Sequence, residues 1–158
     1  QAYEDALRQN FGWSVDDYKR VVKQQLLEQN VISTLDQATH KRAAAALAEL
    51  NGGADFAGVA SKYSDDTTGK ANGGLFPVSV SLSDRDVSPL VTAALFKLQA
   101  GQFSGIINTG YSLQIVKNIQ VDSDGKIKAA HIDFNFLPIS SYINALQAKQ
   151  PAHKYIKP

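Results

Sequence analysis

The chain has no cysteine and no methionine among its 158 residues. Without cysteine there is no disulfide framework, no thiolate-bound zinc and no thiol nucleophile, a composition that fits an oxidising compartment. An excess of one charge is lacking too. Sixteen Lys plus Arg stand against fifteen Asp plus Glu, a formal net charge of +1. The basic residues are scattered along the chain, so the long-range field that gathers nucleic acid is missing and nucleic acid is not the expected partner. No apolar run approaches the ~20 residues of a membrane span, and no stretch has a signal-peptide core. The chain opens at Gln1 with no methionine anywhere. That is expected of a processed or trimmed product, and it leaves room for a membrane anchor outside the sequence. Internal repeats, metal-spaced histidine pairs, phosphate-binding glycine motifs and Ser/His/Asp sets are also missing. The length suits one main domain with helical appendages.

What the sequence does contain is helix in its first half and strand in its second. Ala2 to Gln9 is helix-compatible, and Gly12 in "FGW" stops it. Ser14 and Asp17 form an Asp variant of a capping box, followed by Val15, Tyr18, Val22 and Leu26 at helical spacing. No Gly or Pro occurs from Ser14 to Leu50, so one long helix or two helices jointed near Asn30 to Asp36 both remain open. The apolar stripe from Tyr18 to Leu35 is expected to pack within the molecule. "HKRAAAALAELNGG" predicts an Ala-rich helix closed by Gly52 and Gly53, and Phe56 to Tyr63 a short one. The stretch from Ser64 to Pro89 is loop chemistry, long enough to suggest function. Leu90 to Leu98 returns to helix. Strands are expected over Phe103 to Ile107, Ser112 to Val121 and Lys126 to Phe136, the last two joined by the "DSDG" turn. Ser140 is expected to cap a final helix through Lys149, stopped by Pro151.

Three segments carry a resemblance. "GADFAGVASKYSDD" (Gly53 to Asp66), "ANGG" (Ala71 to Gly74) and "VSPLVTAALFKLQAGQFSGIINTGYSLQIVK" (Val87 to Lys117) follow one another as in the parvulin family of peptidyl-prolyl isomerases. The form they resemble is that carried by extracytoplasmic foldases and chaperones of the PrsA and SurA type. The family's opening strand, roughly "ASHILV", has no counterpart before His40, whereas "AAHIDF" at Ala129 to Phe134 is similar to it. In the parvulin fold that strand lies antiparallel to the last strand in the sheet centre, and a hairpin after the last strand would fill the same slot. The chain thus resembles a circular permutant with its first strand moved to the end. Two further departures are Gln114, where the family usually has a second histidine, and "GGLFP" in place of "GGDLG".

The resemblance implies an α+β fold: a parvulin-like antiparallel sheet with surrounding helices, permuted, with an N-terminal helical segment. Its expected divisions are residues 1–36 as a chaperone-type helical segment, 37–136 as the parvulin-like domain with the permuted strand at 126–136, and 137–158 as helix and tail. It implies a polar cluster of Asp66, His131, Gln114 and Thr109, with His131 and Gln114 as neighbours across the hairpin. The expected apolar wall is Leu75 or Phe76 with Val91 and Phe96. Without the resemblance, His131 reads as a half-exposed strand histidine beside Asp133, and Asp66 as a loop aspartate capping a turn. The implied function is prolyl isomerisation and folding assistance, without a cofactor, for unfolded or proline-containing polypeptides. The implied location is extracytoplasmic, in a bacterium, with a membrane anchor outside the sequence left open. A non-catalytic parvulin-fold holdase or peptide-binding module is the alternative that Gln114 and the shortened glycine loop leave open.

Overall fold

The first helix, α1 (Ala2–Phe11), ends at Gly12, and the capping box forms with an aspartate as its acid. Asp17 N–H donates to Ser14 Oγ, and Ser14 N–H to Asp17 Oδ2, each at 3.1 Å. The helix so started, α2, runs unbroken over Val15–Leu35. Its break comes at Asp36, whose carboxylate accepts from Thr39 N–H at 3.0 Å and so caps α3 (Gln37–Asn51). Contrary to expectation, no residue of α2 is buried: Leu26, Leu27, Val31 and Leu35 are all exposed. Its N-terminal end meets α1, where Tyr3 and Tyr18 pack edge to face at 5.7 Å.

The computed structural model describes residues 2–150, which fall into two units. One combines the chain up to Leu35 with the stretch from Leu137 onward; the other is continuous, Asp36–Phe136. The continuous unit contains α3, α4 (Phe56–Tyr63), α5 (Thr67–Ala71) and α6 (Pro89–Leu95), then strands β1 (Ile107–Asn108), β2 (Ser112–Val121) and β3 (Ile127–Asn135). The final helix, α7 (Ile139–Lys149), belongs to the other unit. It has Pro138 at its cap with no side-chain cap bond, so Ser140 does not have the capping role expected of it. Pro151 lies outside the described residues. Among those described, no helix is long and apolar enough to cross a membrane.

The sheet order is β1-β2-β3, antiparallel throughout. Ala129 to Phe134 pairs antiparallel with β2: Leu113 faces Phe134, Ile115 faces Ile132, and Lys117 faces Ala130. The far edge of β3 is met by loop backbone. Bridges join Leu75 to Ala130 and Val80 to Ile127, and Asp65 N–H donates to the Asp133 carbonyl at 2.7 Å. The expected strand at Phe103 to Ile107 shortens to the two residues of β1 plus a bridge from Phe103 to Lys117. The reason is local. Ser104 N–H reaches the Val116 carbonyl, but Val116 N–H is taken by the Ser104 hydroxyl at 3.0 Å in place of a ladder carbonyl.

Strand alternation gives the sheet two faces. Leu113, Ile115, Ala130, Ile132 and Phe134 point toward α3 and α4 and pack with Ala43, Ala46, Leu50, Phe56, Val59 and Ala60. On the other face, Val116, Ala129 and Ile127 pack with Val80, Val91 and Leu95, the last two from α6. The register puts His131 on this second face, opposite Val116, and Asp133 opposite Gln114.

Candidate active site

His131 reaches from the second face to the loop after α4. Its Nε2 lies 2.9 Å from Asp66 Oδ2, and its side chain is 13% exposed. Asp66 has both of the roles the sequence allows it. It caps α5, accepting from Thr68 N–H and Gly69 N–H at 3.0 Å each, and it holds the imidazole. Burial pushes the Asp66 carboxyl upward, but the Gly69 amide, the His131 ring and the Thr68 amide outweigh it and hold the group below the usual aspartate range. An ionised carboxylate only accepts, so the imidazole donates to it through Nε2–H. Nδ1 is buried with no hydrogen-bond partner among the described residues.

Two glycines make this arrangement possible. A Cβ on Gly69 would collide with the Asp66 carboxylate and come within 3.5 Å of His131 Nε2. Gly74, at φ +86°, passes so close to the His131 carbonyl that a Cβ there has no room, and its own carbonyl accepts from His131 N–H at 2.8 Å. The second glycine of "ANGG" is thus where loop backbone presses against the histidine.

The other expected residues divide. Phe76 packs its ring on His131, centroids 4.3 Å apart, and Phe96 lies partly buried on the same face. Leu75 points to the opposite face, where it lines a cavity of about 340 Å³ with Phe56, Lys117 and Ile119, away from His131. Of the pair "Leu75 or Phe76", Phe76 is therefore the one beside the histidine. Val91 is fully buried and backs the wall without surfacing in it. Gln114 sits diagonally from His131, since the residue directly across from it is Asp133. Thr109 bonds neither His131 nor Asp66. Its hydroxyl lies 3.2 Å from Ser112 Oγ, and the Gln114 amide lies 3.5 Å from that same Ser112 oxygen. Ser112 and the Ser64–Asp65 pair went unremarked in the sequence. Ser64 Oγ accepts from Asp133 N–H, and Asp65 accepts from Asn135 N–H while paired with Arg42 at 2.6 Å, so together they zip β3 to the helices. Only the "SDD" run preceding a loop could have signalled them. No His/Asp/Glu group among the described residues is arranged to hold a metal ion.

A lowered folded-state pKa at Asp66 means that its stabilisation is present above the ordinary aspartate value and is lost as pH falls through the folded value below it. The stability gap between wild type and Asp66→Asn should therefore be widest near neutrality and close below about pH 4. Denaturant midpoints at pH 7, 4 and 3 measure it. A gap independent of pH would mean that the carboxylate charge contributes nothing.

The chain is similar to two known foldase proteins. A curated relative, the foldase protein PrsA 3 of Bacillus cereus, is 39% identical over 69 residues, covering 44% of this chain and 23% of its own length. A solved structure, the foldase protein PrsA of Streptococcus pneumoniae, is 21% identical with a TM-score of 0.38, over 93% of this chain and 58% of the other. The chain thus spans about a quarter of the length of the curated relative it matches. The family of rotamase, PPIC-type PPIase domains matches residues 25–120, more than half of the sequence, and to that family the chain belongs.

Proposed function

We propose that the Asp36–Phe136 unit is a working peptidyl-prolyl cis-trans isomerase that assists the folding of extracytoplasmic polypeptides. The observation that carries this reading is the Asp66–His131 contact at 2.9 Å beside Phe76, within a chain of the PPIC-type family. Rotation about an X-Pro bond crosses ~18–20 kcal/mol and takes tens of seconds or more uncatalysed. No bond is made or broken. The enzyme must shelter the ring in an apolar site and favour the twisted amide, whose lost resonance makes its charge-separated form, the one water stabilises, unimportant. Phe76 and Phe96, backed by the buried Val91 and Leu95, supply apolar surface. His131 Nδ1 and the Gln114 amide supply an acceptor and a donor that need not transfer protons. Thr109 acts at one remove, through Ser112 and its contact with Gln114.

The same reading includes a circular permutation. The strand resembling the family's first one occupies β3, the family match stops at residue 120 before it, and the two ends of the unit lie side by side. Thr39 Oγ1 reaches the Asn135 carbonyl at 3.4 Å, and the His40 and Phe136 rings are 5.7 Å apart. Residues 1–36 and 137–158 are then accessory segments, and an anchor outside the sequence would hold the protein at a membrane. A second reading, the holdase without catalysis, is favoured by the exposed Leu26, Leu27, Val31 and Leu35 of α2. Proline-limited refolding of a test protein separates the two. Acceleration in proportion to added protein is expected, and a rate that stays uncatalysed where an unfolded peptide clearly binds would leave only the holdase.

A further inference from the structure

A hollow of about 340 Å³ lies on the sheet face toward α4, away from His131, and its floor is apolar: Phe56, Leu75, Ile119 and Ala130. Leu75 is 39% exposed there, apolar surface that a ligand would remove from water. Three polar residues complete the lining, Asp55, Asn72 and Lys117. Asp55 is committed to the fold. It caps α4, Oδ2 accepting from Gly58 N–H at 3.0 Å, and the amide dipoles of that helix end offset its charge. Lys117 is not committed. It stands opposite Ala130 in the strand pair with its ammonium 5.7 Å from the Phe56 ring centroid, and it has no ion pair among the described residues. The Asn72 side chain makes no hydrogen bond among them either.

An unpaired cation on an apolar wall favours a ligand that brings a negative charge and apolar surface together. Size narrows the source of that charge. A volume of about 340 Å³ is at the small end of ligand cavities, room for one residue and not for two side chains abreast. The apolar group and the anion then belong to the same residue. In a polypeptide only the C-terminal residue meets that condition, with an apolar side chain and a carboxylate on one Cα; Asp and Glu put the charge where the apolar body has to be.

We propose that this hollow binds the C-terminal residue of a polypeptide, a leucine-sized side chain on Phe56, Leu75 and Ile119 and the terminal carboxylate on Lys117 with the Asn72 amide. The site shares no residue with the His131 cleft, so it is independent of isomerisation. Proline-free peptides keep the test independent too: acetyl-Ala-Ala-Leu as the free acid, the same peptide as its C-terminal amide, and acetyl-Ala-Ala-Ala as the free acid, each titrated into the full chain by NMR. The amide is expected to bind about three- to fivefold more weakly than the leucine acid, and the alanine acid about five- to tenfold more weakly. Lys117→Gln should bring the leucine acid down to the affinity of the amide and leave the amide unmoved. Lys41→Gln, an equal change of net charge at an exposed position that does not line the hollow, should change neither. The backbone resonances that shift should include those of Phe56, Leu75 and Ile119. Equal affinity of acid and amide for the wild type overturns the proposal, whatever the variants do. So does a preference for the acid that survives in folded Lys117→Gln, and so do shifts centred on His131 and Phe76 with Phe56 and Ile119 unmoved. Thermal unfolding of each variant establishes that the affinities are read on folded protein.

Discussion

Ending the chain after Gly125 is expected to abolish cooperative unfolding of the Asp36–Phe136 unit. The lost strand, β3, is built into both cores: Ile132 and Phe134 are fully buried against α3 and α4, and Ile127 against the Val80–Val91–Leu95 cluster. Burying three side chains of that size contributes about 5 to 9 kcal/mol, which rivals the whole stability of a typical domain, about 5 to 15 kcal/mol. The cut also strips the ladder partners of β2 and frees Ser64, Asp65, Gly74 and Phe76 from the backbone groups that now hold them. Circular dichroism and a thermal melt suffice to test it, with a second truncation after Leu137 as the control, since that one removes α7 and keeps β3. A cooperative transition retained by the shorter protein would show that β3 is an accessory strand and would end the permutation reading. If the protein ending at Leu137 melts cooperatively and the one ending at Gly125 does not, the central role belongs to β3.

The strand was legible in the sequence through the "DSDG" turn and the resemblance of "AAHIDF" to the family's opening strand, and its alternation then divides its faces. Ile127, Ala129, His131 and Asp133 fall on one side and Ala130, Ile132 and Phe134 on the other, and a slip of one residue would bury the charged set. The same logic could have divided Leu75 from Phe76, which point to opposite faces because they oppose Ala130 and Ala129. Other features carry no periodic signal. The five-residue helix α5, "TTGKA", stands on the Asp66 cap and on a glycine that clears the carboxylate, and it is too short for periodicity to show. The exposure of α2 was likewise illegible, because an amphipathic stripe states that a helix has an apolar side and not what covers it. Val91, expected in the apolar wall, lies in the core because α6 turns its Val91–Leu95 side onto Val116 and Ala129.

Replacing His131 by alanine is expected to lower kcat/KM for a prolyl peptide by about ten- to hundredfold, roughly 1.4 to 2.7 kcal/mol of transition-state stabilisation. The fold should survive it. The backbone bonds of His131 to Gly74 do not involve the ring, and Asp66 keeps the Thr68 and Gly69 amides, so α5 stays capped. What disappears is the Nδ1 acceptor and the surface on which Phe76 packs. Gln114→His is the complementary change, restoring the residue that the family usually has in that strand. It should leave activity unchanged or raise it, because the new imidazole would face the cleft directly across from the Asp133 carboxylate, within reach of a second donor-acceptor pair. The two variants together discriminate among roles. If the histidine pair of the family organises hydrogen bonds around the amide, a glutamine that already donates one makes the gain from Gln114→His small and the loss from His131→Ala large. Should Gln114→His abolish activity in a folded protein, Gln114 has a task of its own that histidine cannot perform. Should His131→Ala turn over peptide as fast as wild type, the Asp66–His131 contact is a structural tie between α5 and β3, and the cleft works through its apolar wall alone.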